Sequence, residues 1–216
     1  YHDPGRPLAF SCEKCGLEFL DGGLDPARPL FLYLSFLKPH AGFNVPPGFE
    51  DLYDIDSVPD MPQPPWEQDD PRHAGKTDHR AEFFRNASPE LRRRTVLRYW
   101  ANCSWIDCLF GRVIAKLQDK GIWDDAIGLY ASDHGEMLGE RWWRFTKYNL
   151  CEPSVRVPII LSGPRLPGSL RGAIDGRPAE LVDIVPTLLD AAGIEPPAAL
   201  PGGSLPRAPA RLGTTS

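Results

Sequence analysis

Three short runs of apolar residues predict buried strands. The first run, 30–36, is rich in aromatic residues and has a proline near each end. A run of this length without polar alternation is typical of a central strand that is covered on both faces. The runs 126–132 and 155–161 have the same character, and turn-forming residues that include a glycine follow each of them. The sequence therefore predicts a sheet with buried members.

Two longer stretches have the spacing of helices. From Ser88 the chain combines an N-cap serine, a proline at the first helical position and a glutamate in the first turn. Apolar residues then recur at helical spacing until Gly121, where a glycine is a natural helix stop. The apolar stretch 181–192, with Gly193 just past its end, predicts a second helix.

Strands that alternate with helices favour an α/β fold whose sheet contains parallel strands. The segment 38–87, between the first strand and the first helix, is polar and proline-rich and has no periodic pattern. A segment of this length is uncommon in a compact domain and is commonly functional where it occurs. The end of the chain, 195–216, contains five prolines and no aromatic residue, which predicts an extended or disordered tail.

The composition excludes several classes of protein. With 216 residues and 42% hydrophobic residues, the chain is long and apolar enough to fold, which excludes wholesale disorder. The net charge is −5 and no basic stripe is present, so nucleic acid is not an expected partner. The apolar run 30–37 is far too short to span a bilayer. No signal-peptide pattern opens the chain. The compartment stays open, and for a full-length protein it includes the periplasm or the exterior. The oligomeric state stays open as well.

Titratable residues follow two of the predicted strands. Lys38-Pro-His40 comes after the first, and Asp133-His134 comes after the second. In open parallel sheets, ligands bind beyond the carboxyl ends of the strands. A carboxylate beside an imidazole is half of a plausible metal site. A capping aspartate and a surface histidine are the alternative explanation of the same pair.

Several segments resemble the type I sulfatases of the alkaline phosphatase superfamily. Lys38-Pro-His40, after its apolar strand, is similar to iduronate-sulfatase-like members, and the resemblance extends from residue 28 to residue 205. The other matching segments are Ser132-Asp-His-Gly-Glu-Met-Leu-Gly-Glu140, Lys147, Glu152-Pro-Ser-Val-Arg-Val-Pro158, Leu181-Val-Asp-Ile-Val-Pro-Thr-Leu-Leu-Asp190 and Gly202-Gly-Ser-Leu205.

The resemblance implies a three-layer α/β sandwich with a mainly parallel sheet of the alkaline phosphatase/sulfatase type, present only in part. Residues 1–27 are then a connector, 28–194 part of the catalytic domain and 195–216 the tail. His40 and Asp133 are expected at the same edge of the sheet. The implied activity is that of a sulfuric ester hydrolase acting on sulfate monoesters, such as sulfated carbohydrates. A phosphonate monoester hydrolase or phosphodiesterase of the same superfamily, and an inactive anion-binding fragment, are the alternatives.

The resemblance also assigns roles to single residues. It implies that Asp133 and His134 are metal ligands. Lys147 would hold the sulfate oxygens, where a fixed cation offsets charge that develops during transfer. His40 would bind the sulfate and assist departure of the alcohol, since a poor leaving group needs a proton in the transition state. Without the resemblance, Lys147 is equally well explained as a solvated loop lysine.

The loop before Lys147 departs from the family pattern. Here the chain has Glu-Arg-Trp-Trp-Arg-Phe-Thr, where many members carry a stretch similar to His-Gly-x-Trp-Gly. Arg141 and Arg144 are candidates for binding an anionic substrate. Trp142 and Trp143 have two interpretations, since they can stack on a sugar face or pack the loop itself.

The cofactors follow from the resemblance as well. It implies a divalent metal, Ca²⁺, although an imidazole at His134 suits Mn²⁺ or Zn²⁺ better. It also implies a formylglycine made from a Cys or Ser in a C/S-x-P-S/A-R motif. Cys151-Glu-Pro-Ser-Val-Arg156 imitates that motif with one extra residue, so we reject Cys151 as the nucleophile. We therefore expect the formylglycine in an N-terminal part outside these residues, and a chain that alone is inactive and poorly stable.

Overall fold

The computed structural model describes residues 8–25, 27–65, 79–164, 166 and 168–205. The chain divides into two compact units. The first unit combines Tyr1–Gly121 with His134–Arg156, and the second combines Ile122–Asp133 with Val157–Ser216. None of the described helices has both the length and the apolar character needed to cross a bilayer.

The described helices and strands are α1 (Leu8–Gly22), α2 (His79–Asn86), α3 (Pro89–Asp119), β1 (Gly128–Ala131), α4 (Glu140–Trp143), α5 (Glu152–Val155), β2 (Ile159–Ser162) and α6 (Ile184–Ala191). Single 3₁₀ turns lie at Glu50–Leu52, Ile55–Ser57, Trp123–Asp125, Gly168–Leu170 and Leu181–Asp183.

The long helix α3 confirms the prediction made from its capping residues. The hydroxyl of Ser88 accepts a hydrogen bond from the amide of Leu91 at 3.1 Å, which satisfies one of the open amides of the first turn. At the other end Gly121 takes a φ of +67°, a conformation that glycine adopts without strain. The buried residues of the helix are Val96, Leu97, Ala101, Asn102, Trp105, Ile106, Leu109, Val113 and Leu117.

The irregular segment 36–65, which precedes α2 in the chain, is held by the apolar side of α3. Trp105, Ile106 and Leu109 form one buried cluster, against which Phe36, Val45 and Phe49 pack. A second cluster comprises Val58, Val96 and Leu97, with Tyr53, Ile55, Met61, Trp100 and Leu138 around it. Side-chain burial on one helix therefore organises a segment that has almost no regular structure of its own.

Helix α1 lies within the residues that the sequence predicted as a connector. It packs on α3, and Lys116 and Asp21 form an ion pair at 2.5 Å between the two helices. The hydrogen bond from Lys116 lowers the pKa of the Asp21 carboxyl. Gly16 of α1 lies against Leu34, where an added Cβ would come within 2.9 Å of a methyl group. This close approach brings α1 onto the extended segment 30–36.

The predicted strand at 30–36 is wrong in its pairing and its burial. The backbone there is extended, but no described segment forms a ladder with it. The side chains alternate, so that Phe31 and Tyr33 are 79% and 78% exposed while Leu32, Leu34 and Phe36 are half-buried. A strand needs a neighbouring backbone to complete its hydrogen bonds, and an apolar run cannot supply that neighbour.

The second unit contains a small sheet. β1 pairs with β2 in antiparallel register, with Gly128 opposite Ser162 and Ala131 opposite Ile159. The expectation of parallel pairing is therefore wrong for the described strands. The strand predicted at 155–161 also begins later, at Ile159, because Glu152–Val155 forms α5 and Pro158 cannot donate to a ladder.

The predicted helix at 181–192 is confirmed as a 3₁₀ turn that leads into α6. The carboxylate of Asp183 accepts hydrogen bonds from the amides of Glu180 and Gly203 at 2.9 and 2.8 Å. The hydroxyl of Thr187 accepts one from the amide of Leu205, also at 2.8 Å. These bonds tie the beginning of the predicted tail to α6. The rest of the tail lies outside the described residues.

The packing of α3 predicts a large stability difference between two leucines of the same helix. Leu109 is buried at 2% exposure, whereas Leu91 is 43% exposed. We expect Leu109→Ala to lower the free energy of unfolding by about 2–5 kcal/mol, because it removes buried methyl groups and leaves a cavity. Leu91→Ala is the matched control. Urea denaturation followed by circular dichroism measures both, and equal losses would contradict this description of the core.

Candidate active site

The turn that carries His40 is closed by the side chain of Lys38. Its ammonium donates a hydrogen bond to the carbonyl of Gly42, and the amide of His40 donates to the carbonyl of Leu37 at 3.1 Å. Burial lowers the pKa of Lys38. The imidazole of His40 is exposed, with Nδ1 3.3 Å from the carbonyl oxygen of Ala41. The turn therefore presents His40 on an ordered piece of chain.

His134 lies beside His40. Their ring centroids are 6.3 Å apart and the ring planes meet at 66°, an edge-to-face contact within the first unit. Nδ1 of His134 lies 2.8 Å from the carbonyl oxygen of Gly135. A carbonyl only accepts, so Nδ1 carries a proton in this contact, and in a neutral imidazole the lone pair is then on Nε2. Neutral imidazole in this tautomer is the form that binds metals.

Gly135 fixes the backbone next to His134. Its amide donates to the carbonyl of Ser154 at 2.8 Å. A Cβ at Gly135 would lie 2.0 Å from the carbonyl oxygen of Pro153, which is closer than any non-bonded pair of such atoms tolerates. The glycine therefore permits an approach between two segments that matched the family pattern separately.

Glu136 closes the loop that ends at Lys147. One carboxylate oxygen accepts hydrogen bonds from the amide of Met137, at 3.0 Å, and from the amide of Thr146. Thr146 directly precedes Lys147, whose ammonium lies 5.8 Å from the ring centroid of Tyr148. The carboxylate therefore ties the start of the loop to its end and holds the backbone at the candidate sulfate-binding lysine.

The loop contains a left-handed turn. Leu138, Arg141, Trp142, Trp143 and Thr146 all have positive φ, between 49° and 87°, and α4 is therefore not a regular right-handed helix. Each such residue costs about 1–3 kcal/mol and persists only where its surroundings determine it. Strain of this kind clusters at functional sites.

The two tryptophans of the loop are engaged by arginines of the neighbouring helices. The guanidinium of Arg92 stacks over Trp143 at 4.3 Å from the ring centroid, and that of Arg85 lies 5.4 Å from Trp142. Phe84 also contacts the ring of Trp143. These contacts support the interpretation that the tryptophans pack the loop, because cation–π stacking occupies one face of each ring.

Arg141 and Arg144 have separate surroundings. The amide of Arg141 donates to the carbonyl of Pro62 at 3.0 Å. The guanidinium of Arg144 donates to the sulfur of Cys151 at 3.4 Å, and its carbonyl accepts from the amide of Gly139 at 2.8 Å. Arg141 lies within the left-handed turn and Arg144 directly follows it. The guanidinium of Arg144 approaches the thiol of Cys151, which the motif spacing had rejected as a nucleophile.

Asp133 belongs to the second unit, where it is exposed and follows β1 after one intervening residue. Its position after a strand is the one that the sequence predicts. Among the residues that the structure describes, no group of three or more His, Cys, Asp and Glu side chains is placed to hold a metal ion.

Sequence reasoning missed three residues that shape this site. Lys38 and Glu136 lie inside segments that match the family pattern, but the match assigns them no structural role. Gln63 lies in the aperiodic proline-rich segment, and its amide contacts the left-handed turn in several places. A single glutamine in such a segment carries no periodic or motif signal that identifies it.

The helices and the small sheet have the α/β fold of the alkaline phosphatase and sulfatase type. The structure resembles phosphonate monoester hydrolase SpPMH from Silicibacter pomeroyi with a TM-score of 0.73 and 27% identity, over 88% of this chain and 39% of that chain. The expected fold class is thereby confirmed.

The family model described as Sulfatase matches residues 16–194. The chain is 33% identical to an arylsulfatase of Clostridium perfringens over 183 residues, which cover 84% of the chain and 37% of the relative. It is 35% identical to a choline-sulfatase of Rhizobium meliloti over 170 residues, which cover 77% of the chain and 32% of the relative. The chain belongs to the sulfatase family of hydrolases and spans well under half the length of these relatives.

The close contact at Gly135 yields a test of the site's architecture. We expect Gly135→Ala to destabilise the protein by about 1–3 kcal/mol, because the new methyl group must displace the carbonyl of Pro153. The displacement also moves His134. The signal that reports the ring contact between His40 and His134 should therefore disappear from the proton NMR spectrum. Gly111→Ala, where the added Cβ meets nothing within 4 Å, is the control and should not destabilise α3. Equal melting temperatures for both variants would exclude the crowded contact.

Proposed function

We propose that this chain supplies the part of a sulfatase active site that binds the sulfate group and assists the leaving alcohol. The observation that carries the proposal is the contact between His40 and His134, 6.3 Å between ring centroids. It unites two sequence segments that matched the family pattern independently. Membership of the sulfatase family supports the reaction class.

The proposed roles follow from the chemistry of the side chains. The ammonium of Lys147 holds sulfate oxygens and offsets the charge that develops as the ester bond breaks. The imidazole of His40 contacts the sulfate and delivers a proton to the departing alcohol oxygen. Arg141, within the left-handed turn, and Arg144, directly after it, bind further anionic groups. We accordingly propose a sulfated, anionic substrate of the carbohydrate class.

A divalent metal is part of the proposal. Asp133 offers a carboxylate oxygen and His134 offers Nε2 in the tautomer that ligates metals, so both residues fit the donor chemistry. When bound, the metal and a formylglycine would supply electrophilic activation and the covalent nucleophile. Calcium agrees with the family resemblance, while the imidazole favours manganese or zinc. Elemental analysis of the purified protein decides among these metals.

A phosphonate monoester hydrolase is the second candidate, because the structure resembles one over 88% of this chain. Both reactions cleave a tetrahedral oxyanion ester and call for the same cationic groups. Parallel assays with an aryl sulfate and an aryl phosphonate, on a protein that joins this chain to a nucleophile-bearing segment, separate them. A phosphonate rate higher by orders of magnitude would favour the second candidate.

Sulfate binding tests the role of Lys147 without requiring turnover. We expect Lys147→Ala to weaken sulfate binding to the purified chain roughly 10- to 100-fold, the effect of losing one charged hydrogen bond. Isothermal titration calorimetry measures the affinity. Lys14→Ala, in the exposed pair with Glu18 on α1, is the control. If both variants bind sulfate like the parent chain, Lys147 is a solvated loop lysine.

The purified chain should show no turnover of a chromogenic aryl sulfate. None of its cysteines lies in the C/S-x-P-S/A-R motif, and loss of a covalent nucleophile typically costs many orders of magnitude in rate. The expected result is a rate equal to the buffer blank, with and without added metal. Metal-dependent hydrolysis that Lys147→Ala abolishes would instead show a complete enzyme.

A further inference from the structure

The side chain of Gln63 is saturated with hydrogen bonds, most of them to one loop. Its amide nitrogen donates to the carbonyl of Gly139 at 2.7 Å and to that of Met61 at 3.1 Å. Its amide oxygen accepts from the amides of Trp142 and Trp143 at 2.7 and 3.1 Å. A primary amide has two donors and two lone pairs. All four are used, so only one orientation of the amide fits.

The oxygen of Gln63 fills a concavity that the left-handed turn creates. Successive amides in such a turn converge on one point and form a nest that attracts an anion or a carbonyl oxygen. In this loop the amides of Trp142 and Trp143 converge on Gln63. The carbonyl of Gly139, at the start of the turn, accepts a hydrogen bond from the amide nitrogen of the same side chain. One residue therefore satisfies both the donors and an acceptor of the strained turn.

The other end of the loop is held by a different group. Glu136 accepts from the amide of Thr146, the residue before Lys147, and Gly139 is bonded to Arg144 across the turn. With Gln63 at the turn and Glu136 at the end, the backbone between Gly139 and Lys147 has little freedom. Because the backbone between the two supports is short, we expect a change at the turn to reach Thr146.

We propose that Gln63 is a positioning residue, which fixes the left-handed turn and through it the location of Lys147. The proposal rests on the proposed function only in taking Lys147 as the sulfate-binding cation. Gln63 belongs to the segment that precedes α2, so a residue distant in sequence from every motif determines the geometry of the candidate active site.

Hydrogen exchange of the full chain, followed by mass spectrometry or NMR, tests the proposal independently of activity. We expect Gln63→Ala to accelerate exchange at Trp142, Trp143 and Thr146 roughly tenfold or more, since each loses a bond or its support. Gln63→Glu keeps an acceptor for the two tryptophan amides but places a carboxylate against the carbonyl of Gly139. Gln63→Glu should leave amide exchange at Trp142 and Trp143 unchanged and should accelerate amide exchange at Thr146.

Gln118→Ala, at an exposed position of α3, is the matched control. Amides in the buried part of α3 report whether a variant is folded, and Gln63→Glu serves if Gln63→Ala does not fold. The hydrogen bonds between Gln63 and Gly139, Trp142 and Trp143 are here called the clamp. Unchanged amide exchange at Trp142 and Trp143 in Gln63→Ala would exclude the clamp. Accelerated exchange there with Thr146 unchanged would show that the clamp does not reach Lys147, and would equally refute the proposal.

Sulfate titration of the same variants links the clamp to the site. If the parent chain binds sulfate and Lys147→Ala loses binding, Gln63→Ala should weaken binding about tenfold, and full affinity would contradict positioning. If the parent chain does not bind sulfate at all, the proposed function fails. The exchange rate at Thr146 then decides the proposal about Gln63 alone.

Discussion

Burial of the apolar side of α3 is the interaction on which the first unit depends. Trp105 and Leu109 are almost fully covered, by side chains that come mostly from irregular segments. The hydroxyl of Tyr53 adds a hydrogen bond to Ser104 of the same helix at 2.5 Å. Because most helical stability in proteins comes from such packing, the helix and the segment before α2 stabilise one another. Among the described residues of this unit, no sheet supports either of them.

The geometry of the candidate active site depends on packing against this core. Phe84 of α2 stacks on Phe145 at 5.1 Å between ring centroids, and Phe145 in turn contacts Phe43. Gly139 lies so close to Phe84 that an added Cβ would approach its ring to 2.3 Å. The left-handed loop is thus pressed against the helices on one side and bonded by Gln63 on the other. A strained backbone persists under such constraints, and this one delivers a lysine to a defined place.

The combination of a rigid helical support and irregular site segments is the usual arrangement in enzymes. Binding and catalytic groups lie on loops, where the backbone can take conformations that strands and helices exclude. Here His40 lies on a turn closed by Lys38, and Lys147 lies at the end of a loop closed by Glu136. Membership of the sulfatase family supports the proposed reaction class, and these closures describe how the candidate side chains are held.

The sequence alone determined the features that depend on near neighbours in the chain. The cap at Ser88, the apolar period of α3 and the motif around His134 are local, so their elements and the sulfatase fold class could be predicted. Tertiary structure alone decided the rest. The run 30–36 has the composition of a strand, but a strand exists only where another backbone completes its hydrogen bonds. Similarly, Gln63 and Glu136 are ordinary polar residues in sequence, and their importance arises from amides that folding brings to them.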